Sequence, residues 1–265
     1  MKNGIIILFL SMGVGVFSQS PWTQEKNKFY TQLSFNTIPN YSTVFGSPDY
    51  DVPGEISDQT IQLYGEYGFS DQTSIVINAP LKLISFNDFS TTALGNIAVG
   101  VKQRFYQKDW ILSGQFNVEA NTSVYDSDSG IRTGYDAFTF TPLFLMGRSF
   151  GKTYVQSFIG ADLRTNDYSS NVKIGGEIGH KITKRIWLIG FIDVVKSLEN
   201  GNIVLPLENT ATGLYVNDQE YGAFGFKGIV EITEKFGATV GFGGAFFGNN
   251  VPKQASLNIG IYTTF

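Results

Sequence analysis

The chain has 265 residues, the size of one large all-β domain, with charged residues at only 16%, aromatics at 15%, and 23 Phe, 13 Tyr and 30 Gly. That mixture argues against a disordered chain, which is poor in aromatics and rich in charge, and against an α/β enzyme drawing on Ala, Leu and Glu. A net charge of −4, no Cys and one His leave no disulfide framework or thiolate site, little His chemistry, and an acidic balance that repels nucleic acid.

Met1-Lys2-Asn3 is a short positive start, followed by an apolar stretch from Gly4 to Phe17 and small residues Val16 and Ser18. This is the pattern of a secretory signal peptide cut before Gln19, with an apolar run too short to span comfortably as a helix. The expected organisation is therefore 1–18 signal peptide, 19–27 short periplasmic N-terminal segment, and 28–265 barrel. Ser20–Asn27, with Trp22, is read as a disordered periplasmic tail in preference to a plug in a lumen.

From residue 28 onward the chain alternates with period two. In 60–69, Ile61, Leu63, Gly65, Tyr67 and Phe69 share one face, and Gln62, Tyr64 and Glu66 the other. The segments 110–121, 171–179 and 223–232 repeat the pattern. Strands are expected near 28–38, 58–69, 73–83, 93–106, 110–121, 135–148, 152–163, 170–181, 185–198, 218–232, 236–247 and 253–265. They are longer than the strands of soluble sandwiches and match the 9–11 tilted residues that cross a bilayer. The sixth and ninth alternate poorly, so their facing is open.

Tight breaks at 70–72, 107–109, 149–151, 182–184 and 233–235 alternate with longer ones near 39–57, 84–92, 122–134, 165–169, 199–217 and 248–252. Short periplasmic turns and longer external loops are the mark of an outer-membrane barrel. The expected fold is thus all-β: an antiparallel transmembrane β-barrel of twelve strands, in the outer membrane of a Gram-negative bacterium. Aromatics at the tight-turn ends, namely Phe69, Tyr106, Trp110, Phe150, Tyr154, Trp187, Phe236 and Phe265, read as an interfacial girdle.

The chain closes on Asn258-Ile259-Gly260-Ile261-Tyr262-Thr263-Thr264-Phe265. This resembles the terminal β-signal of bacterial outer-membrane proteins. The resemblance implies an assembly role for Gly260, Tyr262 and Phe265 and the barrel-assembly machinery as partner. Thr263 departs from it, since a large hydrophobic residue is preferred there.

Charge sorts by side. The long breaks hold Asp49, Asp51, Glu55, Asp88, Asp126, Asp128, Asp167, Glu199 and Glu208 against Arg132. An acidic mouth would concentrate cations, and solubility of exposed loops explains it equally well. The polar strand faces offer a candidate lumen lining: Glu66, Lys102, Arg104, Gln115, Asn117, Glu119, Asp162, Arg164, Lys173, Glu177, Lys227 and Glu231, with Lys82 beside them. Such residues serve a wet pore or a closed lattice of ion pairs. Twelve strands enclose less than a 16-stranded porin, so any route is narrow or partly plugged. Gly237, Thr239, Gly241, Gly243 and Ala245 should face inward and leave room for a solute, an inward-folded segment or close packing of a neighbour.

No enzyme is expected. The single His180 stands in the run His180-Lys181-Ile182 with no Ser two residues away, and reads as an interfacial side chain. Phe150-Gly151-Lys152-Thr153 lacks the first Gly of a phosphate loop, and Gly241-Phe242-Gly243-Gly244 lies within a strand. No metal site and no cofactor are expected.

Gly95-Asn96 followed by Gly100-Val101-Lys102-Gln103-Arg104-Phe105 is similar to a recurring element of the phenol-degradation meta-pathway (MetA-pathway) outer-membrane proteins. Gly134-Tyr135-Asp136 and Gly147-Arg148-Ser149-Phe150 also resemble that family. The resemblance implies an outer-membrane barrel aiding uptake of small, often apolar compounds, and carries over no functional residues. The expected function is passive transport of a small solute, apolar or aromatic ones included, with outer-membrane lipid and lipopolysaccharide around the barrel. The alternative is a non-conducting structural or adhesion barrel binding a surface partner through its acidic external loops.

Overall fold

A computed structural model describes residues 19–205 and 212–265. The expected signal peptide and Glu208 lie outside the described residues. The strands are β1 (Phe29–Phe45), β2 (Tyr50–Ser70), β3 (Thr73–Phe86), β4 (Phe89–Leu94), β5 (Ala98–Gln107), β6 (Ile111–Glu119), β7 (Thr139–Phe150), β8 (Thr153–Arg164), β9 (Asn171–Lys181), β10 (Ile186–Ser197), β11 (Glu220–Glu231), β12 (Phe236–Asn249), β13 (Val251–Pro252) and β14 (Ser256–Thr264). Each neighbour pair is antiparallel. β1 pairs with both β14 and β2, which closes the ring. β4 only folds back on β3, and β13 only extends the pairing of β1, so twelve strands form the wall, as expected.

The facing follows the period-two pattern. Ile174 is 54% exposed and its neighbour Lys173 is 7% exposed. Leu63, Ile77, Val101, Phe116, Ile159, Leu188, Phe226, Val240 and Ile259 stand out from the wall in the same way. A continuous apolar outer surface around a polar interior is stable only where lipid, not water, surrounds the barrel. The two strands of open facing are settled. β7 turns Thr139, Thr141, Leu143, Leu145 and Gly147 inward, and β10 turns Ile189, Val195 and Ser197 inward. Their alternation is weak because several inward residues are themselves apolar.

Two regions differ from expectation. The break at 39–57 is mostly strand: β1 and β2 run to 17 and 21 residues, well beyond the 9–11 a bilayer needs, and only Gly46–Asp49 turns between them. Asp51 and Glu55 therefore belong to β2 rather than to a loop. The expected strand 93–106 is broken at Gly95–Ile97. There β4 leaves β3 after a hairpin whose Asn87 has φ 53°.

The long-loop end is roofed. Ile131 from the β6–β7 loop and Leu214 from the β10–β11 loop are buried with Tyr41, Val44, Val52, Ile56, Ile84 and Phe86 of the overlong hairpins. Apolar contacts thus hold these loops over the mouth.

Candidate functional site: the barrel lumen

At the tight-turn end the N-terminal segment lies inside the wall. Ser113 Oγ, fully buried, donates to the carbonyl of Pro21, and Lys102 Nζ donates to that of Trp22 at 3.3 Å. Gln24 N donates to Ser74 Oγ at 2.9 Å, and Asn27 N to the Gly68 carbonyl at 2.8 Å. The seat is cut to fit. A Cβ at Gly147 would come within 2.6 Å of the Trp22 ring, and one at Gly68 within 1.9 Å of the Glu25 carbonyl oxygen. The tail reading is therefore corrected. A Trp and a Pro gain burial against this seat, and a row of inward donors satisfies the segment's backbone.

Around the plug stand Tyr30, Tyr64, Tyr154, Tyr262, Val76, Ile189 and Ile229, with Trp187 packed against them. Trp22 meets Tyr154 edge to face at 6.2 Å. Tyr154 and Trp187 thus leave the girdle expected for them and face the lumen, while Phe69, Phe150, Phe236 and Phe265 remain exposed. Glycines make room for these rings. Gly179 pairs directly with Tyr154, Gly175 with Phe158, Gly225 with Phe191 and Gly237 with Tyr262. A Cβ at any of them would fall 2.1–2.7 Å from an atom of its neighbourhood, the partner's ring included. Two of the small inward residues of β12 are filled by neighbours: Tyr262 covers Gly237, and the Phe191 ring reaches Gly243.

The predicted lining residues fall into several groups. Glu66 and Lys102 form a buried pair at 3.0 Å beside the plug, and the Tyr64 hydroxyl donates to Glu66 at 2.9 Å. Across the lumen, Lys227 pairs with Glu177 at 2.6 Å, and Glu177 also accepts from the Tyr154 hydroxyl at 2.7 Å and from Gln156. Lys173 pairs with Asp162 at 2.6 Å, and Arg164 lies 3.8 Å from the same carboxylate. Arg164 also stacks over Tyr135 at 4.2 Å. Gln115 donates to Asn117 at 3.0 Å on the fully buried face of β6, and Glu119 stands half-buried at its end. Arg104 and Glu231 lie apart, at the tight-turn rim. Arg104 donates to the Asp71 carbonyl, and Glu231 accepts from Lys181 and from the Trp187 indole at 2.8 Å.

Sequence reading missed a chain of amides along the wall. On β14, β1, β2 and β3 the amides of Asn258, Asn36, Gln62 and Asn78 form one chain, in which Asn258 donates to Asn36, Asn36 to Gln62 and Gln62 to Asn78. All lie on inward faces by the period-two pattern, and Gln62 was legible there. A chain of amides across four strands needs the register. An apolar strip of Leu143, Leu145 and Phe158 interrupts the polar lining on β7 and β8.

The mouth is less acidic than its residue count implies. Asp49 pairs with Lys253 at 2.6 Å, and that contact holds its carboxyl below the usual carboxylate range. Lys196 pairs with Glu220 and Glu199, and Lys82 with Asp58. Lys82 also lies 5.6 Å from the ring of Tyr215, whose phenol burial pushes up to about 12. The Gly95-Asn96 step and Gly134-Tyr135 meet: Asn96 Nδ2 donates to the Tyr135 carbonyl at 2.9 Å, which docks the roof on the break between β4 and β5. His180 faces outward, 2.8 Å from Thr153 Oγ1. Among the described residues no group of His, Asp or Glu could hold a metal ion.

This fold is that of outer-membrane channels. An outer-membrane channel from Pseudomonas putida F1 superposes with a TM-score of 0.70 at 14% identity, over 92% of this chain and 98% of that one. The KdgM porin in complex with disordered oligogalacturonate superposes at 0.53 and 8% identity, over 90% and 99%. The CymD monoaromatic hydrocarbon channel superposes at 0.51 and 7% identity, over 91% and 90%. No family model and no curated protein matches the sequence.

Proposed function

We propose that this protein is an outer-membrane channel for small solutes, apolar and aromatic ones among them, kept closed by its own N-terminal segment. The observation that carries the reading is the seat of the N-terminal segment: a lipid-facing barrel with a short stretch of chain held against its inner wall. The apolar strip of Leu143, Leu145 and Phe158 among charged neighbours gives an apolar solute a surface inside the wall. Gly95-Asn96 and the Lys102-Gln103-Arg104 strand support kinship with the phenol-degradation meta-pathway family. Glu66, Lys102, Asp162, Lys173, Glu177 and Lys227 line the route and fix its width through their pairings. Gly260, Tyr262 and Phe265 serve insertion by the barrel-assembly machinery. The signal peptide is removed after Ser18, and the outer belt contacts lipid and lipopolysaccharide.

The test is conductance in planar bilayers and solute-driven swelling of liposomes, for the full barrel and for a variant lacking residues 20–27. Low conductance that rises sharply on deletion supports the channel. One observation favours a structural barrel instead, namely the ion pairs that lace the inner wall from β8 to β11 beneath a packed roof. Two silent barrels, with no swelling in aromatic solutes, would establish that reading.

A further inference from the structure

We propose that Gln19 becomes the first residue of the mature chain and cyclises to pyroglutamate, which gives the plug an uncharged tip. The proposal rests on the cleavage expected between Ser18 and Gln19. The lactam itself does not rest on conduction, so its failure leaves the channel reading standing; the role of the neutral tip does rest on that reading.

Gln19 is 7% exposed and Ser20 2% exposed, and both precede Pro21 and Trp22, which are fixed in the wall's seat. The tip of the plug is thus enclosed. A free α-amino group there would be a cation out of water, while the Lys102 ammonium of the seat is already matched by Glu66. An enclosed charge without a partner is strongly disfavoured. Gln19 Oε1 is buried with no hydrogen-bond partner, so that oxygen is not held by a donor of the wall.

Glutamine is the residue that removes this charge by itself. Its α-amino nitrogen attacks its own Cδ carbonyl, the N–Cδ bond closes a five-membered lactam, and the Cδ–Nε2 bond breaks. A proton passes from the attacking nitrogen to the leaving one, and ammonia departs. No oxidant, reductant or co-reactant is needed. The product keeps the Cδ carbonyl and has no basic nitrogen. Asparagine has one methylene fewer and would have to close a strained four-membered ring.

The experiment is mass spectrometry of the barrel purified from outer membranes, with sequencing of its N-terminal peptide, for wild type and Gln19→Asn. The wild-type peptide should begin at residue 19, be blocked to stepwise degradation, and be lighter than its sequence mass by one ammonia. Gln19→Asn should keep its full mass and conduct several-fold more, since its tip stays charged. An unmodified Gln at residue 19 would overturn the lactam, and a different first residue would overturn the cleavage and the lactam together. Equal conductance of a blocked wild type and Gln19→Asn would overturn the role assigned to the neutral tip.

Discussion

The two ends of this barrel are closed by different physics. At the tight-turn end one short segment is held by backbone hydrogen bonds to Ser113, Lys102 and Ser74, with Trp22 packed against a ring of buried aromatics. At the long-loop end several loops share an apolar cluster with the overlong β1, β2 and β3. Hydrogen bonds exchanged for water contribute little net stability, whereas burial of Ile, Val and Leu contributes steadily. The segment's hold therefore leans on hydrogen bonds and one aromatic anchor, and the roof's on apolar burial.

The sharpest way to break this contrast is Lys102→Met. It strands the Glu66 carboxylate and removes a donor to the plug, and should cost ~3–5 kcal/mol, read as the urea midpoint of heat-modifiable barrel. Adding Glu66→Gln should recover much of that loss while the plug stays loose. A double variant as unstable as the single one would mean the pair does not act as a unit.

Ile131→Ala tests the roof. Ile131 is fully buried, and truncation should cost about 2–5 kcal/mol, felt as local opening of the β6–β7 loop. Faster hydrogen exchange in 124–133 with an unchanged wall is the expected record. Unchanged exchange there would show the roof to be held by something other than its apolar cluster.

Both ends presuppose the same facing of the wall. Ile174→Arg, on the lipid side, should destabilise by ~2–4 kcal/mol if it lies near the bilayer midplane. Lys173→Gln, one residue away and inward, keeps a hydrogen-bonding side chain beside Asp162 and should cost less. The reverse order of folding free energies would move the register by one and exchange the faces.

The smallest effect is one of pH. Hydrogen bonds from Ser129 and from the amide of Asp128 hold the Asp126 carboxyl below its ordinary value. A depressed folded value means its support for the 124–133 hairpin is complete above the unfolded value of about 3.9 and fades as pH falls through the folded one. Protease nicking of this loop should rise at acid pH in wild type, and Asp126→Asn should show the raised level already at neutral pH. A flat profile in both would remove Asp126 from the roof.

Much of the wall was legible in the sequence. The lipid-facing side of residues 61–69 and the alternation of Lys173 with Ile174 follow from side chains pointing to opposite faces of a strand, a local property. Turn chemistry marked the tight ends for the same reason. The sequence could not assign Tyr154 and Trp187, because an aromatic near a turn suits the interface from either side of the wall. Only the partner strand, with Gly179 opposite Tyr154, decides that the ring goes in.

The strand count, the facing of the regular strands and the charged inner residues were thus determined by the chain alone, through period two and the lengths between breaks. Tertiary structure decided the rest. It paired Glu66 with Lys102 and Glu177 with Lys227 and joined the amides of Asn258, Asn36, Gln62 and Asn78 into one chain. It also folded 19–24 into the lumen. These outcomes depend on which strands become neighbours and in what register, and on whether a seat of small residues and buried donors exists once the ring has closed. Ser113 and Gly147 make that seat from positions far along the chain from Pro21, a proximity that no local pattern encodes.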